Sequence, residues 1–260
     1  MPLPKSLVIA APSLRENFTG YFVKSVFDLQ KLCIPAGITV NLSIAGRISL
    51  VCHARNLLAS KFLYETSASH MLFVDDDIGF DAHHIYQMLE WSHLPVVGAL
   101  YPGKKIDWDH VRDIALSNPD ISGRELERAA ALYRQQFSTA GYNVDPSVIG
   151  GERPFEVSFV ATGLMLISRE ILVKLIAHGL APLKESNVEE ARDLQIHHFF
   201  QTTYSGDRST VGEDVSFCRA VRSIGEPVHA CGWPHVVHTG LHDHFGSLPV
   251  AISRGVIPRE

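Results

Sequence analysis

Hydrophobic residues fall along the chain in two kinds of block. Some are short apolar runs of strand length, and others are longer stretches with apolar residues at helical spacing. Ser6 to Ala11 (SLVIAA) predicts a strand buried on both faces, ended by Pro12 and Ser13. Glu16 to Leu32 places Phe18, Phe22, Val26 and Leu29 at helical spacing and predicts a helix stopped by Pro35 and Gly37. Ile38 to Ile44 alternates and predicts a second strand, with Gly46 and Arg47 in the loop beyond. Leu50 to Glu65 predicts a helix with Leu57, Leu58, Phe62 and Leu63 inward. A strand at Met71 to Val74, a helix at Ala82 to Trp91 and a strand at Pro95 to Tyr101 follow. The order β-α-β-α-β-α-β predicts an α/β fold: a Rossmann-like, doubly wound, mostly parallel sheet flanked by helices.

The pattern breaks at Lys104 to Arg153, which is polar, with a helical run at Arg124 to Phe137 and turn residues around Gly141 and Pro146. It reads as a helical and loop insertion, a lid or an acceptor-facing excursion. Phe155 to Ile167 then predicts one long strand interrupted at Thr162 and Gly163. Arg169 to His178 predicts a helix ended by Gly179, and 181–210 is loop-rich. Gly212 to Ile224 predicts another helix, and Pro227 to Cys231 a short strand. These blocks make a single domain over 1–260: a nucleotide-binding half (1–103), the insertion (104–153), and an acceptor-binding, catalytic half (154–260).

Composition narrows the partners. A net charge of −5 and a pI near 6.3 imply no broad basic surface for nucleic acid or anionic membrane. Cys33, Cys52, Cys218 and Cys231 lie in apolar segments without CxxC spacing, and read as reduced, buried thiols. The N-terminal apolar run is only six residues long, too short for a signal peptide or a membrane span. A cytoplasmic protein without a transmembrane segment is the expectation.

The chemistry concentrates at His70 to Phe80, HMLFVDDDIGF. An apolar strand running into Asp75, Asp76 and Asp77 puts carboxylates at the strand's C-terminal end, where open α/β sheets bind ligands. Strand alternation places Asp75 and Asp77 on one face and Asp76 on the other. Two carboxylates on one face repel unless a cation or a charged partner sits between them, and hard oxygen donors suit Mg²⁺ or Mn²⁺. The plainer alternative is an acidic turn capping the helix that starts near Asp81, although capping needs one aspartate, not three.

Other residues carry two readings each. Arg55 is a solvated helix charge or a buried partner of an anionic site. Gly163 marks a backbone approach to ligand or a simple bulge. Glu213 and Asp214 open a helix, where acids are ordinary dipole partners. Lys104 and Lys105 read as a solvated pair rather than a phosphate contact. His235, His238, His242 and His244 put four histidines in ten residues, without HExxH or zinc spacing.

Taken together, these segments resemble nucleotide-sugar glycosyltransferases of the GT-A fold, in particular compact enzymes of bacteria and of large viruses or phages. The matching segments, in order, are Arg55–Asn56, the VDDDI strand, Thr162–Gly163, and Glu213–Asp214 about 140 residues after the first acids. A late H-x-G follows at His238 and Gly240, so the likeness spans most of the chain. The insertion and the 181–210 loop match no pattern.

The resemblance implies roles. Asp75 would contact the ribose or a metal-bound water, and Asp77 would ligate Mn²⁺ or Mg²⁺, so both are counted with the metal. His238 would complete the metal site. Ala11, Pro12, Ser13, Arg55, Asp75, Asp76, Thr162 and Gly163 would form the donor site for a nucleotide sugar, with a UDP-sugar first in line. Asp214 would be the general base of an inverting transfer. The acceptor could be a glycan, a lipid-linked sugar, a protein or a modified DNA base, and nothing speaks to oligomeric state. Two other classes compete: a metal-dependent nucleotidyltransferase or phosphohydrolase, and a non-catalytic nucleotide-sugar-binding module.

Overall fold

A computed structural model describes residues 3–133, 137–139, 145–184, 194–204 and 209–241. The first half builds β1 (Ser6–Ser13), α1 (Gly20–Cys33), β2 (Thr39–Gly46), α2 (Val51–Glu65), β3 (His70–Val74), β4 (Ile78–Phe80), α3 (Ala82–Leu89) and β5 (Val96–Ala99). The insertion contributes α4 (Trp108–Ser117) and α5 (Gly123–Ala129). The second half adds β6 (Phe155–Glu156), β7 (Leu164–Ser168), α6 (Arg169–Ala177), α7 (Glu213–Ser223), β8 (Val228–Cys231) and β9 (Val236–His238).

Among the described residues the central sheet has seven strands in the order β2-β1-β3-β7-β5-β8-β6. Five run one way, while β7 and the edge strand β6 are antiparallel to their neighbours. The fold is therefore mixed α/β, with a large, mostly parallel sheet between helices. Strand alternation feeds two cores. Leu7, Ile9, Leu72, Val74, Leu164 and Leu166 face α1 and α3, while Val8, Ala10, Met71, Phe73, Met165 and Ile167 face α2, α6 and α7. A strand buried on both faces needs the unbroken apolar runs seen in β1, β3 and β7. β4 and β9 pair antiparallel outside this sheet, Val236 opposite Phe80 and His238 opposite Ile78.

The buried-strand expectations hold, and the differences have local causes. The first helix starts at Gly20, not Glu16, because Thr19 is its N-cap and accepts the Phe22 N–H at 3.2 Å. Glu16 itself is left-handed, with φ of 52°. In the insertion, the helix expected over Arg124 to Phe137 covers only Gly123–Ala129, opened by a Ser122/Glu125 capping box. A second helix, α4, went unforeseen; Asp107 caps it by accepting the His110 N–H at 3.2 Å. Phe137–Ser138 is a short strand paired with Phe159–Val160. The long strand expected over Phe155 to Ile167 is three pieces, Phe155–Glu156, Phe159–Val160 and Leu164–Ser168. Cys33, Cys218 and Cys231 are buried and Cys52 is half-buried, and all four are free thiols. No helix among the described residues is long and apolar enough to cross a membrane.

Candidate active site

β3 stops at Val74, and Asp75, Asp76 and Asp77 form a tight turn into β4. The Asp75 N–H donates to the Gly163 carbonyl at 2.9 Å, and the Ile78 N–H to the Asp75 carbonyl at 3.0 Å. The carboxylates thus lie at the strand's C-terminal end, as the sequence predicts. They do not share a strand face: strand alternation ceases at Val74, and each aspartate turns to a different segment of the chain.

Asp75 accepts from Arg55 Nη2, at 3.1 Å to Oδ1 and 3.3 Å to Oδ2. Arg55 is carried by α2 and is only 5% exposed, so the buried reading of this arginine holds. Its Nη1 bonds Glu213 at the start of α7, and its Nε has no partner among the described residues. Burial opposes the guanidinium's charge, but Asp75 and Glu213 outweigh it and push its pKa up. One side chain therefore ties the aspartate turn to the Glu213–Asp214 helix start, reaching Asp75 20 residues away and Glu213 158 residues away.

Asp76 accepts from Ser13 Oγ at 2.5 Å, at the end of β1, and its carbonyl takes the Thr19 N–H at 3.0 Å. Burial raises its pKa despite the serine. Ser13 is thereby placed in the site, whereas Ala11 packs its side chain into the core and Pro12 is buried beside it.

Asp77 faces two partners. Lys104 Nζ pairs with Oδ2, and His238 Nε2 lies 3.4 Å from Oδ1. Burial would raise the Asp77 pKa, but the His238 and Lys104 contacts prevail and lower it. His238 Nδ1 meets the Pro102 carbonyl at 2.7 Å. A carbonyl oxygen only accepts, so Nδ1 is the donor in that contact, and Nε2 is the ring nitrogen that faces Asp77. An imidazole held by a backbone carbonyl in this way has the arrangement typical of a metal ligand. The donor chemistry at Asp77 and His238 thus fits a divalent ion such as Mg²⁺ or Mn²⁺. Asp75 does not join them, because Arg55 holds it. Among the described residues no group of three His, Cys, Asp or Glu side chains converges as a ligand set. His242 and His244 lie outside the described residues. His235 belongs elsewhere, edge-on to His84 with ring centroids 4.6 Å apart.

Thr162 and Gly163 lie where the chain enters β7. A Cβ at Gly163 would sit 2.5 Å from the Tyr101 hydroxyl and 2.9 Å from Asp75 Oδ2. The close approach that demands glycine is therefore to these side chains, and Tyr101 Oη accepts the Gly163 N–H at 3.2 Å. Thr162 is 1% exposed, with no partner for Oγ1 among the described residues. Tyr101 closes the cluster, its phenol pKa raised by burial and then by Asp75. Its ring meets His238 edge-on at 5.3 Å.

Asp214 sits in the first turn of α7, its Oδ1 accepting the Val215 N–H at 2.7 Å. The helix dipole alone would lower its pKa. Burial is the larger effect, and the carboxyl is shifted upward. That makes it a stronger base than its position in the sequence implies.

Sequence reasoning missed Tyr101, the direct role of Glu213, and Lys104 as a partner of Asp77. Tyr101 was findable: it ends an apolar run beside Pro102–Gly103, at the same C-terminal strand end of the sheet as Asp75. The pairings of Glu213 and Lys104 leave no local signal.

No family model and no curated protein sequence matches this chain. Among solved structures, one described as the crystal structure of A197 from STIV aligns over 94% of this chain and 97% of its own. The identity is 14% and the TM-score 0.46, so the functional argument rests on the residues themselves.

Proposed function

We propose that this chain is a metal-dependent glycosyltransferase that moves a sugar from a nucleoside-diphosphate sugar to an acceptor hydroxyl with inversion. The observation that carries the reading is the Arg55 bridge. It joins an aspartate turn at a strand end, suited to a metal-bound diphosphate, to a helix start bearing a half-buried carboxylate of raised pKa. A plain acidic cap would not need that bridge.

In this reading Ser13, Asp76 and the turn around Asp75 position the nucleotide. Asp77 and His238 would hold a divalent cation, which when bound offsets charge on the departing diphosphate. Asp214 takes the acceptor's proton as its oxygen attacks the anomeric carbon. The bond from that carbon to the phosphate oxygen breaks, and the electron pair leaves with the nucleoside diphosphate. Displacement from the opposite face inverts the anomeric configuration. Tyr101 and Gly163 wall the site beside Asp75.

The test is a panel of nucleotide sugars scored by thermal shift and by slow donor hydrolysis, with Mn²⁺ and with excess chelator. The expected result is metal-dependent stabilisation and cleavage by one donor class, and NMR of the transfer product with an inverted anomeric proton. Full activity in chelator would overturn the metal assignment, and a retained configuration the base. Turnover of a nucleoside triphosphate without any acceptor would favour a nucleotidyltransferase or phosphohydrolase instead. Donor binding without transfer or hydrolysis would favour a binding module.

A further inference from the structure

Lys104 is held as few lysines at the surface are. Its ammonium pairs with Asp77, and its stem crosses Gly240, where a Cβ would lie 2.9 Å from Lys104 Cδ and 3.1 Å from Cγ. The crossing is pinned on both sides. His238 Nδ1 meets the Pro102 carbonyl at 2.7 Å, and the Thr239 N–H donates to the Asp77 carbonyl at 2.9 Å. Three segments, around 77, 102–104 and 238–240, thus converge on one carboxylate. The ammonium lies against Oδ2 of the carboxylate that would receive a divalent cation, while His238 Nε2 faces Oδ1. Two cations cannot both be closely held by one carboxylate without repelling each other.

We propose that Lys104 is a resident counter-ion of the metal site, displaced from Asp77 by the divalent cation and transferred to the donor's diphosphate. This rests on the metal-dependent transferase reading above. In the free protein Lys104 neutralises Asp77 and competes with metal. Once a metal-bound diphosphate arrives, the freed ammonium finds a denser anion, and lysine serves well as a mobile point charge for phosphate. The lysine therefore weakens metal binding alone and strengthens nucleotide binding after it. That difference is a coupling free energy between the two ligands, and it is reciprocal.

The experiment is calorimetric titration of Mn²⁺ into the full chain, alone and with each of four nucleoside diphosphates (uridine, guanosine, adenosine and cytidine). Wild type is compared with Lys104→Met and Lys104→Arg, with melting curves to verify folding. Lys104→Met should bind Mn²⁺ alone about tenfold more tightly, and once loaded with Mn²⁺ should bind the preferred diphosphate about tenfold more weakly. Lys104→Arg should follow wild type in both. The opposite signs are the signature, since a merely structural lysine would weaken both. A methionine variant with unchanged or weaker Mn²⁺ binding, or with full diphosphate affinity, overturns the inference while leaving the metal site standing. Absence of Mn²⁺ uptake by wild type, with and without diphosphate, would overturn the metal site and this inference together.

Discussion

Two arginines meet the same helix and do opposite things. Arg169, at the start of α6, caps the far end of α2. Its Nε donates to the Ala68 carbonyl at 2.7 Å, Nη1 to Leu63 at 2.9 Å, and Nη2 to Phe62 at 2.6 Å and Thr66 at 3.0 Å. Its guanidinium also lies over the Phe62 ring at 4.4 Å. The carbonyls of the last helical turn have no partner within the helix, so this is a structural use of charge. Burial alone lowers its pKa. Arg55, on the same helix, instead spends its charge on two carboxylates from distant segments and leaves Nε unpartnered among the described residues. A half-buried cation that donates to helix-end carbonyls stabilises the fold, whereas the buried Arg55 positions two acids at the candidate site. The sheet's two ends differ in the same way.

The largest expected effect lies at the end organised by Arg55. Asp214→Asn should cut turnover by ~10²–10⁴-fold, with donor affinity nearly unchanged, because a base acts mainly in the transition state. Steady-state kinetics and donor titration check this, and since asparagine caps helices well, survival of activity would reduce Asp214 to a cap.

Next come the arginines themselves, each replaced by lysine, which keeps the charge but loses the planar fork. Arg55→Lys should lower turnover by about 10–100-fold, as loss of a positioning partner typically does. Arg169→Lys should leave turnover per folded molecule alone and cost about 1–3 kcal/mol in denaturant melts. Equal effects on turnover from the two variants would erase the contrast between them.

Gly163→Ala sharpens the packing of the site. Its Cβ, 2.5 Å from the Tyr101 hydroxyl, should cost about 1–3 kcal/mol of stability. Tyr101→Phe removes that hydroxyl, so the double variant should recover part of the loss, and strict additivity would contradict the described contact.

The smallest effect belongs to the Arg169 end. Burial lowers the pKa of His70 below its usual 6.5, although the Ser92 carbonyl contact opposes this. The unfolded chain then binds the proton more readily than the folded one. Stability is therefore intact above pH 6.5 and falls as pH drops from there toward the folded pKa. His70→Asn should flatten that slope in melts across pH 5 to 7.5.

Much was legible because it is written in local pattern. The apolar runs of β1 and β3 demanded buried strands, and the helical spacing of α1 demanded one apolar side. The position of Asp75 to Asp77 after such a run placed the candidate site at the C-terminal end of the strand before any fold was known. Boundaries were less legible, since caps such as Thr19 and Asp107 act through single hydrogen bonds that no periodicity reveals. Only the tertiary structure decided which acid meets which base. Strand alternation could not orient Asp75 and Asp77, because the backbone leaves the strand at Val74. The partners of Asp75, Asp76 and Asp77 lie 20, 63 and 27 residues away, at Arg55, Ser13 and Lys104. Pairings at such range follow from how helices stack on the sheet. The rise in Asp214's pKa has the same origin: the dipole of α7 is readable from sequence, but the burial that overrides it exists only once the chain is folded.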